Sequence, residues 1–351
     1  MMRRSPIVAG GALALASAVA FGATTPLVQR FGRGVGPFMT AALLYGGAAM
    51  VSAVRGDRLR GTLEAPLRRS DAGRVLAVAL LGAVAAPMAF AWGLQRTSGV
   101  TAALLLNLEA VFTVLLARLL WHEPLGGRVG LAVTAMVCGG ALLVLDGRGA
   151  SLAAGWGALA VALATLAWAG DNVVGRPLAD RDPTQVILAK GALGASLSLA
   201  IARCLSESWP PWSRAAALAA CGAVGYGLSL RLYLRAQRIV GAARTGSIFA
   251  VAPFLGAAIA WTMGERGGGL ATVGAGALCA LGVALHLTES HDHAHAHDIV
   301  EHEHAHRHDE GHHTHPHDVY PTREHSHAHR HDPQSHVHPH GPDLHHRHGH
   351  G

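Results

Sequence analysis

The chain has 351 residues and a formal net charge of +6; half of its residues are hydrophobic and only 14% are charged. With 44 glycines and a positive mean hydropathy, it is not an ordinary soluble enzyme. The average conceals a division: 23 of the 25 histidines lie between His291 and His350, and the last 63 residues carry a net charge of −7 while the first 288 carry +13. Cys138, Cys204, Cys221 and Cys279 stand singly in apolar runs, which argues against a disulfide framework, a zinc ribbon or a thiol redox site.

The body separates into ten apolar blocks, near residues 7–28, 36–54, 73–92, 99–120, 128–145, 154–174, 184–203, 215–234, 242–263 and 270–288. Each is about 18–24 residues, the length that crosses about 30 Å of hydrocarbon at 1.5 Å per residue. Arg, Asp, Gly and Pro clusters such as Arg55-Gly56-Asp57-Arg58, Asp146-Gly147-Arg148 and Asp180-Arg181-Asp182-Pro183 stop the helices between them. The first block follows Met1-Met2-Arg3-Arg4 and resembles a secretory signal. Its apolar run is longer than a usual signal core, about 7–15 residues, and nine more blocks follow, so it is read as a retained span. With the N-terminus inside, the inner segments hold 13 arginines and the outer segments 7. That bias predicts both termini in the cytoplasm and a multi-pass protein of the cytoplasmic membrane.

A shift of 142 residues aligns two stretches without a gap: Gln95-Arg96 falls on Gln237-Arg238, Gly99 on Gly241, Phe112 on Phe254 and Glu123 on Glu265. Ala20-Phe21-Gly22 and Ala167-Trp168-Ala169 match near an offset of 147. Five spans per half is an odd number, so the halves enter the membrane in opposite senses. Such an inverted repeat places a substrate site near midplane, between the halves. The predicted organisation is all-α: 1–147 as a first five-helix repeat, 148–288 as a second, and 289–351 as a disordered tail.

The stretches GVTAALLLNLEAVFTVLLARLLWHE (Gly99 to Glu123) and GAARTGSIFAVAPFLGAAIAWTMGE (Gly241 to Glu265) resemble the fourth and ninth helices of the EamA branch of the drug/metabolite transporter superfamily. Trp168-Ala169-Gly170-Asp171-Asn172-Val173-Val174-Gly175-Arg176 and Gly241-Ala242-Ala243-Arg244-Thr245 resemble a subgroup that also carries a His-rich C-terminus. The resemblance covers about residues 7–288. It implies ten helices in two inverted repeats and the transport of a small solute, without saying which solute. The second copy carries Pro253 close to the place of Glu109, so the two halves are not chemically equivalent.

A charge at a helix centre costs about 2.5–3.5 kcal/mol on insertion scales, so intramembrane polar residues mark candidate pathways. Here they are Asn107 and Glu109 in the fourth block, Asp171 and Asn172 in the sixth, Lys190 in the seventh, Arg231 in the eighth and Arg244 in the ninth. Lys190 is the sole lysine against 27 arginines. An ammonium can lose its proton when desolvated, whereas a guanidinium cannot. Asp171 and Lys190, on consecutive helices, are expected to pair, and protonating Asp171 would then act as a proton-coupled switch. Arg231 is a candidate counter-ion for Asp171 or Glu109, and Arg244 a candidate phosphate anchor or gate. Asp171-Asn172 also fits an interhelical clamp. Arg118, near a helix end, fits snorkelling to the headgroups.

The tail repeats His-x-His through His291, His293, His295 and His297, then His302, His304, His306 and His308. It continues through His312, His313, His315, His317, His325, His327, His329 and His331. Large apolar residues are scarce, so the tail is expected to be disordered when free. Alternate histidines of an extended chain lie about 6.6–7 Å apart on one side, and a flexible chain can fold several onto one ion. Imidazole with carboxylate suits Zn²⁺, Ni²⁺, Co²⁺ or Cu²⁺. A pH-sensing tail and an inert solvated tail are the alternatives.

Three functional readings follow. The first is a secondary transporter of a small solute, proton-coupled, whose cytoplasmic tail binds divalent metal and regulates it. The second is a divalent-metal transporter. The third is a membrane-anchored metal buffer or sensor. The second is disfavoured because His122 and His286 are the body's only histidines. Nothing in the chain has a nucleophile–base pattern, a phosphate loop or a nucleic-acid signature, so no enzyme activity and no required cofactor are predicted. Expected partners are membrane lipid, a small-molecule solute and divalent metal ions, and a homodimer is compatible with the reading.

Overall fold

The computed structural model describes residues 6–54, 65–121, 126–240, 242–264 and 269–287, together with 291–296, 300–306, 325–331 and 335–340 of the tail. Its helices are α1 (Pro6–Gly32), α2 (Pro37–Val54), α3 (Ala72–Val78), α4 (Ala86–Leu94), α5 (Gly99–Leu105), α6 (Leu108–Trp121) and α7 (Gly127–Ala150). They continue as α8 (Leu152–Gly175), α9 (Pro183–Cys204), α10 (Trp212–Gly222), α11 (Ser229–Val240), α12 (Ala242–Phe249), α13 (Ala252–Thr262) and α14 (Gly269–Leu287). Among the described residues, nine helical stretches are long and apolar enough to cross a membrane, and Pro37–Ala53 is a shorter apolar helix packed among them. Successive stretches run in alternate directions. The end where α1 starts is called here the N-terminal end; the α1–α2 turn lies at the opposite end.

Helix ends obey local chemistry. Ser98, Ser151 and Asp182 cap α5, α8 and α9, accepting hydrogen bonds from the amides of Thr101, Ala154 and Thr184. Pro37, Pro183 and Pro253 stand in first turns, where a missing N–H costs nothing. Large side chains point outward: Leu270 is 90% exposed, Leu152 76%, Leu119 70% and Met50 66%. On a soluble protein such a skin would be an aggregation surface; in lipid it is the solvated face.

The interior is built from small residues at crossings, as membrane helices require. A Cβ on Gly256 in α13 would stand 2.7 Å from the Gly22 carbonyl of α1, and one on Gly222 in α10 would stand 2.6 Å from the Leu44 Cα of α2. Ser17 and Ser229 join α1 to α11 reciprocally, each hydroxyl donating to the other's carbonyl, at 2.7 and 2.9 Å. Phe90, Met39, Leu44, Leu94 and Leu105 fill the space between these crossings.

Four irregularities interrupt the helices. Ala79–Ala85, between α3 and α4, and Ala223–Leu228, between α10 and α11, are π-helical. The 99–120 block breaks at Leu106-Asn107, where Asn107 donates from Nδ2 to the Leu104 carbonyl at 2.8 Å. The 242–263 block breaks likewise at Ala250-Val251, between α12 and α13.

Strands β1 (His291–Ala296) and β4 (Ser335–His340) pair antiparallel, as do β2 (Val300–His306) and β3 (His325–His331). The period-two His-x-His pattern that makes the tail polar is also a strand pattern, and pairing satisfies its backbone groups.

Candidate functional site

The polar residues of the bundle interior meet around α8. Asp171, 7% exposed, receives the Lys190 ammonium of α9 on Oδ2, beside the Ala79–Ala85 segment against which α8 and α9 both pack, with the two side chains only 10% and 20% exposed. The backbone of Gly82, inside the first π segment, lies directly against this pair. A Cβ there would run into the Asp171 carboxylate and stand 2.8 Å from Lys190 Nζ. The Gly82 carbonyl, released by π winding, accepts from the Tyr45 hydroxyl and, at 3.1 Å, from Trp168 Nε1. One glycine thus ties α2, α8 and α9 together at the charge.

The next residue of α8 makes a second pair. Asn172 donates from Nδ2 to Glu109 Oε1 at 2.8 Å, and Glu109 sits in the first turn of α6, just past the helix break. Glu109 is half-buried and Asn172 exposed.

An aromatic wall runs beside both pairs. Phe90 meets Trp168 at 5.4 Å between ring centroids, Trp168 meets Tyr226 at 6.3 Å, and Tyr226 meets Tyr45 at 5.3 Å. Phe21 joins Tyr226 at 6.1 Å and Phe249 at 5.5 Å, and Phe249 meets Tyr233 at 5.1 Å. These separations suit edge-to-face and tilted contacts. Sequence reasoning missed this wall, although a signal existed: three of the chain's four tyrosines are in it.

The other expected pathway residues stand elsewhere. Asn107 serves the helix break rather than the charge cluster. Arg231, on α11, reaches Thr184 Oγ1 with its Nη2 at 3.5 Å, near the start of α9. Arg244 lies on α12, but its side chain is outside what the structure describes. At the opposite end a recess of about 460 Å³ is lined by Gln29, Arg33, Leu94, Gln95, Arg96 and Thr97.

Among the described residues, no group of three or more His, Cys, Asp or Glu side chains is placed to hold a metal. In the tail, the register sets His291 opposite His340, His293 opposite His338 and His295 opposite His336. The second ladder sets His302, His304 and His306 opposite His329, His327 and His325, and His331 opposite Val300. His297, His308, His312, His313, His315 and His317 lie outside the described residues.

An apolar-skinned helical bundle with charges paired in its interior defines a multi-pass membrane protein built for transport rather than a membrane anchor. The chain belongs to the EamA-like transporter family, whose model matches residues 8–145 and again 155–288. It is 29% identical over 207 residues to an uncharacterized transporter of Methanothermobacter thermautotrophicus, a match covering 58% of this chain and 60% of that protein's length. A solved crystal structure covers 81% of this chain and 96% of its own, with a TM-score of 0.57 at 21% identity, a likeness of fold.

Proposed function

We propose that the protein is a secondary transporter that carries a small solute across the cytoplasmic membrane by alternating access, coupled to protons. Its frame is ten spans in two inverted five-helix repeats, 1–147 and 148–288, with both termini in the cytoplasm. The double match of the family model supports the repeat. So do the π segments and helix breaks that recur in both halves. Discontinuous helices near midplane are how such folds build a substrate site.

The observation that carries the reading is the Asp171–Lys190 pair closed against Gly82. Protonating Asp171 dissolves the pair and frees Lys190, so proton occupancy and the packing of α8 and α9 on the Ala79–Ala85 segment change together. Glu109, which accepts from the Asn172 amide, is the second proton or solute ligand. The His-rich tail, 289–351, binds Zn²⁺, Ni²⁺, Co²⁺ or Cu²⁺ and regulates the transporter.

The test is flux into proteoliposomes under an imposed proton gradient, using a panel of organic solutes and Zn²⁺ or Ni²⁺. Gradient-driven uptake of an organic solute that Asp171→Asn abolishes supports the reading. Metal flux that survives removal of the tail would make the body a metal transporter instead.

A further inference from the structure

The two ends of the bundle are fastened by different chemistry on the same plan. At the end opposite the N-terminus, the loop between α9 and α10 reaches across to α2. Glu207 accepts from the Met39 amide on Oε2 at 2.7 Å and from the Phe38 amide on Oε1 at 3.3 Å. These are first-turn donors that have no acceptor within their own helix. The contact is shaped for the carboxylate: a Cβ on Gly36 would stand 2.6 Å from Glu207 Cγ. Ser206, just before it, holds a φ of +57°, a conformation uncommon for a side-chain-bearing residue. Arg214 adds a bond from Nη1 to the Arg33 carbonyl at 2.9 Å.

At the N-terminal end, the segment after α2 reaches across to the start of α9. The Ala65 carbonyl accepts from the Asp182 amide at 2.8 Å, and the Leu67 amide donates to Gln185 Oε1 at 3.0 Å. Asp71 Oδ2 takes the Arg181 Nε at 2.9 Å and the Arg68 amide at 2.9 Å. Each clasp therefore runs from the segment following the second or seventh span to the first turn of the other. The exchange is reciprocal, and it joins what the family model matches as separate copies.

We infer that Glu207 at one end, and Asp71 with Arg181 at the other, are the gate residues of the transport cycle, each closing its end by gripping the first turn of a helix from the other repeat. The inference rests on the alternating-access reading. Both clasps are engaged in this structure, which makes it the closed intermediate. Releasing one end lets α2 and α9 part there while the other clasp stays shut. A variant that weakens one clasp must then raise the population open at that end and lower the population open at the other.

The test needs no known solute: amide hydrogen exchange of the full chain in lipid nanodiscs. Glu207→Gln exchanges charge-assisted bonds for neutral ones, which changes the equilibrium by about tenfold. Exchange at Phe38 and Met39 is expected to rise about tenfold, while exchange at Leu67 and Asp182 falls. Asp71→Asn is expected to do the reverse. Should Glu207→Gln fail to fold, Gly36→Ala carries the same test, because it displaces the carboxylate without removing its charge. Local loosening with no opposite change at the far end, in both directions, would overturn the assignment. Reciprocal exchange supports the gates, whereas gradient-driven flux without reciprocity overturns the gates and leaves the transporter.

Discussion

The Asp171–Lys190 pair permits a double-mutant cycle whose outcome can be stated in advance. Breaking a buried pair by removing one partner typically costs about 3–5 kcal/mol, because the survivor is left buried and unpaired, whereas removing both is often near neutral. With side chains 10% and 20% exposed, solvent does little to screen this pair, unlike a surface ion pair. Asp171→Asn is expected to destabilise by about 3 kcal/mol, leaving Lys190 against the Gly82 backbone. Lys190→Met should cost a similar amount, leaving Asp171 uncompensated. The double variant should recover most of the loss, giving a coupling energy of at least about 2 kcal/mol, well beyond the roughly 0.5 kcal/mol scatter of independent sites. Thermal unfolding in detergent, followed by tryptophan fluorescence, reads the four corners of the cycle. Gradient-driven flux should be lost in all three variants, since stability returns in the double variant but the switch does not. Additive destabilisation would refute the pairing as an energetic unit, and undiminished flux in Asp171→Asn would remove it from the mechanism.

Gly82→Ala should lower stability by about 1–3 kcal/mol through overpacking and cut flux at least tenfold, whereas Gly73→Ala, with nothing within 4 Å of its added Cβ, should stay within about 0.5 kcal/mol of wild type; flux and unfolding of the two variants measured side by side decide this. Gly222→Ala drives a methyl to 2.6 Å from the Leu44 Cα, so the α2–α10 crossing must open, and the expected loss of about 1–3 kcal/mol is read by the same unfolding assay. Ending the chain after Leu287 should leave helix content per residue of the body unchanged by circular dichroism, while nearly all Zn²⁺ binding in a calorimetric titration disappears.

Helices announced themselves by length alone, because twenty apolar residues between charged stops have few other uses. Asp171 and Lys190 were found by cost, a charge in the interior needing a partner, and their pairing followed from consecutive helices. The helix breaks and π segments were legible only in part: Asn107 is a polar residue in an apolar run, and Pro87 and Pro253 lie two residues past the first π segment and the second break, but the packing of other helices decides how the ladder yields. Glu207 drew no attention because it lies in a loop, where an acid costs nothing. Its role is visible only once the loop is seen against the first turn of α2.

The irregular backbone and the chemistry coincide. Within a bilayer, backbone that leaves regular helix is tolerated only where protein or a water-lined space satisfies its groups, so each departure needs a compensating partner. The first π segment exposes the Gly82 carbonyl, and Tyr45 and Trp168 take it. The second carries Tyr226 into the centre of the aromatic wall. The break at Leu106-Asn107 is capped by Asn107 itself and starts α6 so that Glu109 reaches Asn172. The break at Ala250-Val251 ends α12 at Phe249, the ring that joins Phe21 to Tyr233. Four departures thus set four groups around the two polar pairs of α8, and straightening any of them would withdraw its group. The weakly wound segments, flanked by close glycine crossings, thus stand where the Asp171–Lys190 and Asn172–Glu109 pairs are set.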